Sequence, residues 1–191
     1  DSLSSKYQQS LLARRIDSLN MEASTCLDFS PETFQQMAGL VCFYNTAHFH
    51  YLHVSANDEG KRCIQVITHD HFEPFEAYQE PVCLPDEGVV YLKATLNGAD
   101  LQFHYAIKEN EWIKAGAVLN AGILSDDYVR EGGTRYRPAF TGAFVGLCCQ
   151  DLTGNKMPAY FDWFNYTVNE YDFISTKKNE IVCEKSISAE A

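Results

Sequence analysis

Residues 140–166 read FTGAFVGLCCQDLTGNKMPAYFDWFNY. An apolar run, 141–150, and an aromatic-rich run, 160–168, flank a polar turn built from Thr153, Gly154, Asn155 and Pro158. Aromatic side chains suit a pleated, half-buried surface, and turn residues bound both runs, so the spacing predicts two strands of opposed periodicity. Gly142 and Gly146 flank the first run and predict close sheet packing or a bulge. Asp162 sits inside the aromatic run AYFDWFNY, where a carboxylate must find hydrogen bonds or reach solvent.

The same pattern extends outward. Leu19, Met21, Ala23, Thr25, Leu27 and Phe29 alternate with Asn20, Glu22, Ser24, Cys26 and Asp28, a period of two that marks a half-buried strand ended by Ser30-Pro31. Residues 39–45 and 48–55 read as a strand pair, and 62–68 as the next strand. The clearest hairpin is 89–107: Val90, Leu92, Ala94 and Leu96 on one side of Asn97-Gly98, and Leu101, Phe103, Tyr105 and Ile107 on the other. Segment 69–88, with three prolines, reads as irregular, and 120–138 as a long loop. A helical period is a candidate only at 6–15. Short strands with regular turn signals predict an all-β, antiparallel two-sheet sandwich over 1–171, followed by a tail or extra strand at 172–191.

Composition narrows the function classes. The chain has 191 residues, 46% hydrophobic and 13% aromatic, enough for a sizeable core. A net charge of −11 repels phosphate backbones and argues against nucleic acid and anionic membrane surfaces as partners. No run approaches the ~18 apolar residues of a membrane-spanning helix. The N-terminus has neither an initiator Met nor the layout of a signal peptide. Seven cysteines at scattered spacing, with no CxxC, read as buried free thiols in a reducing, cytoplasmic compartment.

Chemistry-bearing motifs are few. His48, His50 and His53 form H-x-H-x-x-H with His69 and His71 nearby. On a strand, His53 points away from the other two, so surface or core histidines are expected, with no metal and no cofactor. Acid–base hydrolysis of a glycosyl-type bond would need two carboxylates converging on one bond, so paired acids are the motif to weigh. The adjacent acids Asp58-Glu59, Asp86-Glu87 and Asp126-Asp127 do not form such a dyad and read as solvated loop residues. Asp126 and Asp127 are candidates for tying down the long loop.

Ser2-Leu3-Ser4-Ser5-Lys6 with Leu11-Leu12-Ala13-Arg14-Arg15, Phe34 to Leu40 continuing into Tyr44-Asn45-Thr46, Leu124-Ser125-Asp126-Asp127-Tyr128, and Phe140 to Gly146 occur in this order. Together they resemble the C-terminal, concanavalin A-like β-sandwich of glycoside hydrolase family 43 β-xylosidases. The resemblance implies an accessory domain whose partner is a catalytic β-propeller. That propeller carries the catalytic carboxylates, so no catalytic residue is expected among these 191 residues. It further implies that one sandwich loop reaches the rim of the substrate pocket and supplies an aromatic wall for a xylo-oligosaccharide. The matching segment is 130–141, with Phe140 as first candidate and Tyr136 and Arg137 after it. The competing reading places Phe140 in the core at the start of a strand. A role in homo-oligomer formation is also implied. The alternative to an accessory role is a stand-alone, lectin-like carbohydrate-binding module.

Overall fold

The computed structural model describes residues 1–71, 76–77, 80–131 and 140–169. Its strands are β1 (Ser10–Arg15), β2 (Asn20–Asp28), β3 (Gln36–Asn45), β4 (His48–Ala56), β5 (Arg62–Asp70), β6 (Glu76–Ala77), β7 (Val82–Cys83), β8 (Val90–Asn97), β9 (Asp100–Ala106), β10 (Ile113–Asn120), β11 (Phe144–Asp151) and β12 (Tyr160–Val168). A 3-10 turn at Ala121–Leu124 and a short helix, α1 (Asp126–Glu131), separate β10 from β11.

All pairings are antiparallel, and they form two sheets. One sheet runs β1-β11-β3-β4-β5-β6, with β7 also on β5; the other runs β10-β9-β8-β2-β12. This is a concanavalin A-like sandwich. The two strands of the 140–166 stretch therefore belong to different sheets, and the polar turn between them crosses from one layer to the other.

Periodicity explains the core. Met21, Ala23 and Leu27 of β2 and Val90, Leu92, Ala94 and Leu96 of β8 face Leu40, Leu52, Val54, Ile64 and Val66 of the larger sheet in one buried cluster. Every residue of β4 is buried. Its inner face packs on the opposing sheet. Its outer face, with Phe49 and Tyr51, lies under Leu3 of the N-terminal segment. Gln150 holds that segment in place, accepting from the Leu3 amide at 3.0 Å.

Several sequence expectations change. The candidate helix at 6–15 contains strand β1, because pairing with β11 outweighs weak helical periodicity. The irregular stretch 69–88 holds the short strands β6 and β7, both on β5. The loop at 120–138 begins with the 3-10 turn and α1. Strand β10 carries little alternation, since a register shift between Ala115 and Leu119 breaks its period. Leu19 and Ile107 are exposed rather than core. Among the described residues, no helix is long and apolar enough to cross a membrane.

Candidate functional site

The end of the sandwich that carries α1 gathers the loop expected to matter. Ser125 opens α1: its carbonyl accepts from Val129 at 3.2 Å, and its hydroxyl accepts from the Tyr128 amide at 3.2 Å. Val129 is buried and anchors the helix to the core. Asp126, at its first turn, accepts from the Tyr44 hydroxyl at 2.5 Å and from the Gly142 amide at 3.3 Å. One carboxylate thus ties the helix before the loop to β3 and to the backbone after the loop. Burial, then the bond to Asp126, raises the Tyr44 phenol above its ordinary range, so the tyrosine stays a donor at neutral pH.

Gly142 has φ +68°, and a Cβ there would lie 2.7 Å from Arg15 Nη1. Arg15 donates to the Thr141 carbonyl and lies over the Phe144 ring, 5.1 Å from its centroid. The residue after β1, Ile16, donates its amide to Ala143 at 2.9 Å. The segment following Phe140 is thereby fixed to the edge of the larger sheet.

Phe140 is 69% exposed, which removes the core placement weighed above. The Arg130 guanidinium sits over its ring, 5.2 Å from the centroid. Tyr136 and Arg137 lie outside the described residues. Beside this loop stem runs an apolar cleft of about 450 Å³, lined by Ile16, Leu19, Met21, Leu96, Leu124 and Asp126 among others.

A second cleft, of about 320 Å³, opens on the five-stranded sheet between Glu22, Tyr91, Glu109, Trp112 and Trp163. Tyr91 and Trp163 lie 6.4 Å apart, and Lys93 Nζ sits 4.3 Å from the Trp112 centroid and 3.4 Å from Glu22. The sequence reading missed this grouping because its residues come from four separate strands and turns.

The histidines divide by environment. His50 bonds Thr68 Oγ1 at 2.6 Å and Asn120 O at 3.1 Å, and burial pushes its pKa down to about 4. His53 stacks on Tyr51, and burial likewise pushes it down to about 4. Both are neutral core residues. His48 is also buried but meets a different set of partners, described below. Cys26, Cys42, Cys63, Cys83, Cys148 and Cys149 are free thiols, and Cys183 lies outside the described residues. Asp162 is exposed, in phase with Tyr160 on the outward face of β12, next to a register shift between Phe161 and Trp163.

Comparison with known proteins places this geometry. The family model for the β-xylosidase C-terminal concanavalin A-like domain matches residues 1–167. The chain belongs to that family. It is similar to a β-xylosidase of Bacillus subtilis, 39% identical over 167 residues, covering 87% of this chain and 30% of that protein. It is similar to xylosidase/arabinosidase 43B of Humicola insolens, 40% identical over 170 residues, covering 87% and 31%. Among solved structures, xylan β-1,4-xylosidase of Bacillus halodurans superposes with a TM-score of 0.80 at 38% identity, covering 87% of this chain and 31% of that one. The chain thus spans about 30% of the length of the curated relatives it matches. In those relatives this family domain is the C-terminal part of a glycoside hydrolase family 43 enzyme.

Proposed function

We propose that this chain is the accessory sandwich of a cytoplasmic β-xylosidase. It packs on a catalytic propeller, helps close that domain's pocket over xylosides and xylo-oligosaccharides, and contributes to homo-oligomer contacts. One observation carries the pocket role. Asp126 clamps both stems of the loop, and beside that clamp stands an exposed aromatic, Phe140, under the Arg130 guanidinium. A large ring has reason to stand in solvent on a fixed stem if a partner surface or ligand covers it. Tyr136 and Arg137, in the same sequence segment 130–141, are the secondary candidates. The free thiols support a reducing compartment.

The test is Phe140→Ala in the complete enzyme. Losing a stacking wall removes binding shared by ground and transition states, and water exclusion felt mainly in the transition state. Catalytic efficiency toward aryl xyloside should fall by about 1–3 kcal/mol, the range for one well-placed apolar contact. The melting temperature should barely move, since the ring is exposed. Unchanged kinetics would refute the pocket role.

The aromatic cleft on the five-stranded sheet favours a second reading, a carbohydrate-binding module. Tyr91 and Trp163 offer flat faces beside the carboxylates of Glu22 and Glu109, a combination suited to a pyranose. The position of Lys93 weighs against it, because the ammonium already lies over Trp112.

A further inference from the structure

We propose that His48, Asp70 and His71 form a binding site for a divalent transition-metal ion, of which zinc is the natural occupant. The antiparallel register of β4 and β5 sets His48 opposite Asp70, and His71 follows at the strand end. His48 Nε2 lies 3.0 Å from His71 Nδ1 and 3.8 Å from Asp70 Oδ1. One donor atom from each residue can be chosen so that all three lie within 4.8 Å of one another. Ligands held about 2.0–2.1 Å from a tetrahedral zinc stand about 3.3 Å apart, so the spacing accepts an ion with little movement.

Protonation of His48 can be read from its neighbours. The Ala47 amide donates to Asn45 Oδ1 at 2.8 Å, which identifies that atom as the oxygen. The same oxygen lies 2.9 Å from His48 Nδ1 and has no proton to give, so Nδ1 carries the hydrogen. The Nε2 lone pair then points at the His71–Asp70 group. A metal-bound imidazole whose second nitrogen donates to an oxygen is the usual arrangement around zinc. The carboxylate is oriented in the same way: Asp70 Oδ2 accepts from the Tyr128 hydroxyl at 2.7 Å, and the Tyr128 ring stacks on His71 at 5.0 Å.

Asp70 Oδ1 is the decisive atom. It is shielded from solvent and has no hydrogen-bond partner among the described residues. The two imidazoles approach it only to 3.8 and 3.6 Å, beyond hydrogen-bond length. A shielded carboxylate oxygen without a donor is unfavourable, and a cation answers it together with both imidazoles. Two nitrogens and one oxygen suit zinc better than calcium or magnesium, which prefer all-oxygen shells. His71 and Asp70 remain about a quarter to a third exposed, which leaves an approach for the ion and for a water as fourth ligand. The ion would fasten the ends of β4 and β5 to α1 through Tyr128, at the base of the loop stem.

The test uses the purified chain, stripped with a chelator and kept in a non-thiol reductant. Calorimetric titration with zinc chloride should give one equivalent at micromolar affinity or tighter, and zinc should raise the melting temperature by a few degrees. Asp70→Asn and His71→Gln should each weaken binding at least tenfold, and Tyr128→Phe about tenfold. Cobalt(II) added to the unmodified chain should give visible bands without thiolate charge transfer, which decides the ligand type even if a variant misfolds. Absence of saturable binding, affinity unchanged in both ligand variants, or a thiolate signature from the cysteines would overturn the site.

Discussion

The carboxylate of Asp151 organises the turn that carries the chain from one sheet to the other. Its Oδ1 accepts from the Thr153 amide at 2.8 Å and the Thr153 hydroxyl at 2.6 Å, while Oδ2 accepts from the Met157 amide at 2.8 Å. These bonds, the Met157 amide foremost, lower its pKa from 3.8 to about 2. A carboxylate whose pKa is depressed on folding adds stability above its unfolded value and loses it as pH falls through the folded one. The Asp151 contribution should therefore be complete above about pH 4 and fade toward pH 2. Asp151→Asn should lower the melting temperature at pH 7, with an expected effect of about 1–2 kcal/mol from weakened charge-assisted bonds. The gap from the parent protein should narrow as pH drops from 4 to 2. A gap independent of pH would show that shape, not charge, holds the turn. At this scale the sequence was uneven. Asp126, with Asp127, was legible as a loop tie because the pair lies inside the long unpatterned stretch 120–138. The meeting of His48 with Asp70 was not, since it depends on strand register and on a side chain outside the histidine motif.

At the scale of elements, alternation made β2 and the β8–β9 hairpin readable, because each has one face in the core, whereas β11 was legible as an apolar run because both its faces are largely buried. Elements whose stability comes from pairing rather than patterning were missed. β6 and β7 are two residues each and exist only by hydrogen bonding to β5. β10 hides its strand character behind an irregular register. α1 is too short for a helical period and is held by its cap, Val129 and the Asp126 tie. Gly146 makes the limits of packing explicit. It pairs with Ala13 across β1 and β11, and a Cβ there would lie 2.3 Å from the Leu12 carbonyl oxygen. That oxygen is backbone, so relief requires moving the strand. Gly146→Ala should destabilise the protein by about 1–3 kcal/mol and loosen β1 before the rest of the sheet. Chemical denaturation with hydrogen exchange on residues 10–15 checks both statements. Normal stability with unchanged protection would mean that β1 shifts at little cost.

Among the described residues, two surfaces could meet a sugar, and they make opposite demands. On the proposed reading the loop-stem end, with Phe140 and the apolar cleft, works against a partner domain. The cleft of Tyr91, Trp112 and Trp163 would act alone. Two carboxylates, Glu22 and Glu109, line it beside the aromatic rings. Yet Lys93 pairs with Glu22 at 3.4 Å and covers Trp112, which occupies one carboxylate and one stacking face. Glycoside hydrolysis needs two carboxylates free to flank the scissile bond, and the Lys93 ion pair takes up one of the two here. The 191-residue chain should therefore show no turnover of aryl xyloside or aryl arabinoside at high protein concentration. It should also migrate through xylan-containing gels without retardation. Retardation abolished by Trp163→Ala would move the function to a carbohydrate-binding module. Turnover abolished by Glu22→Gln or Glu109→Gln would go further and make the cleft an active site in its own right. With neither effect, the result agrees with the proposed accessory role of a chain that spans about 30% of its relatives' length.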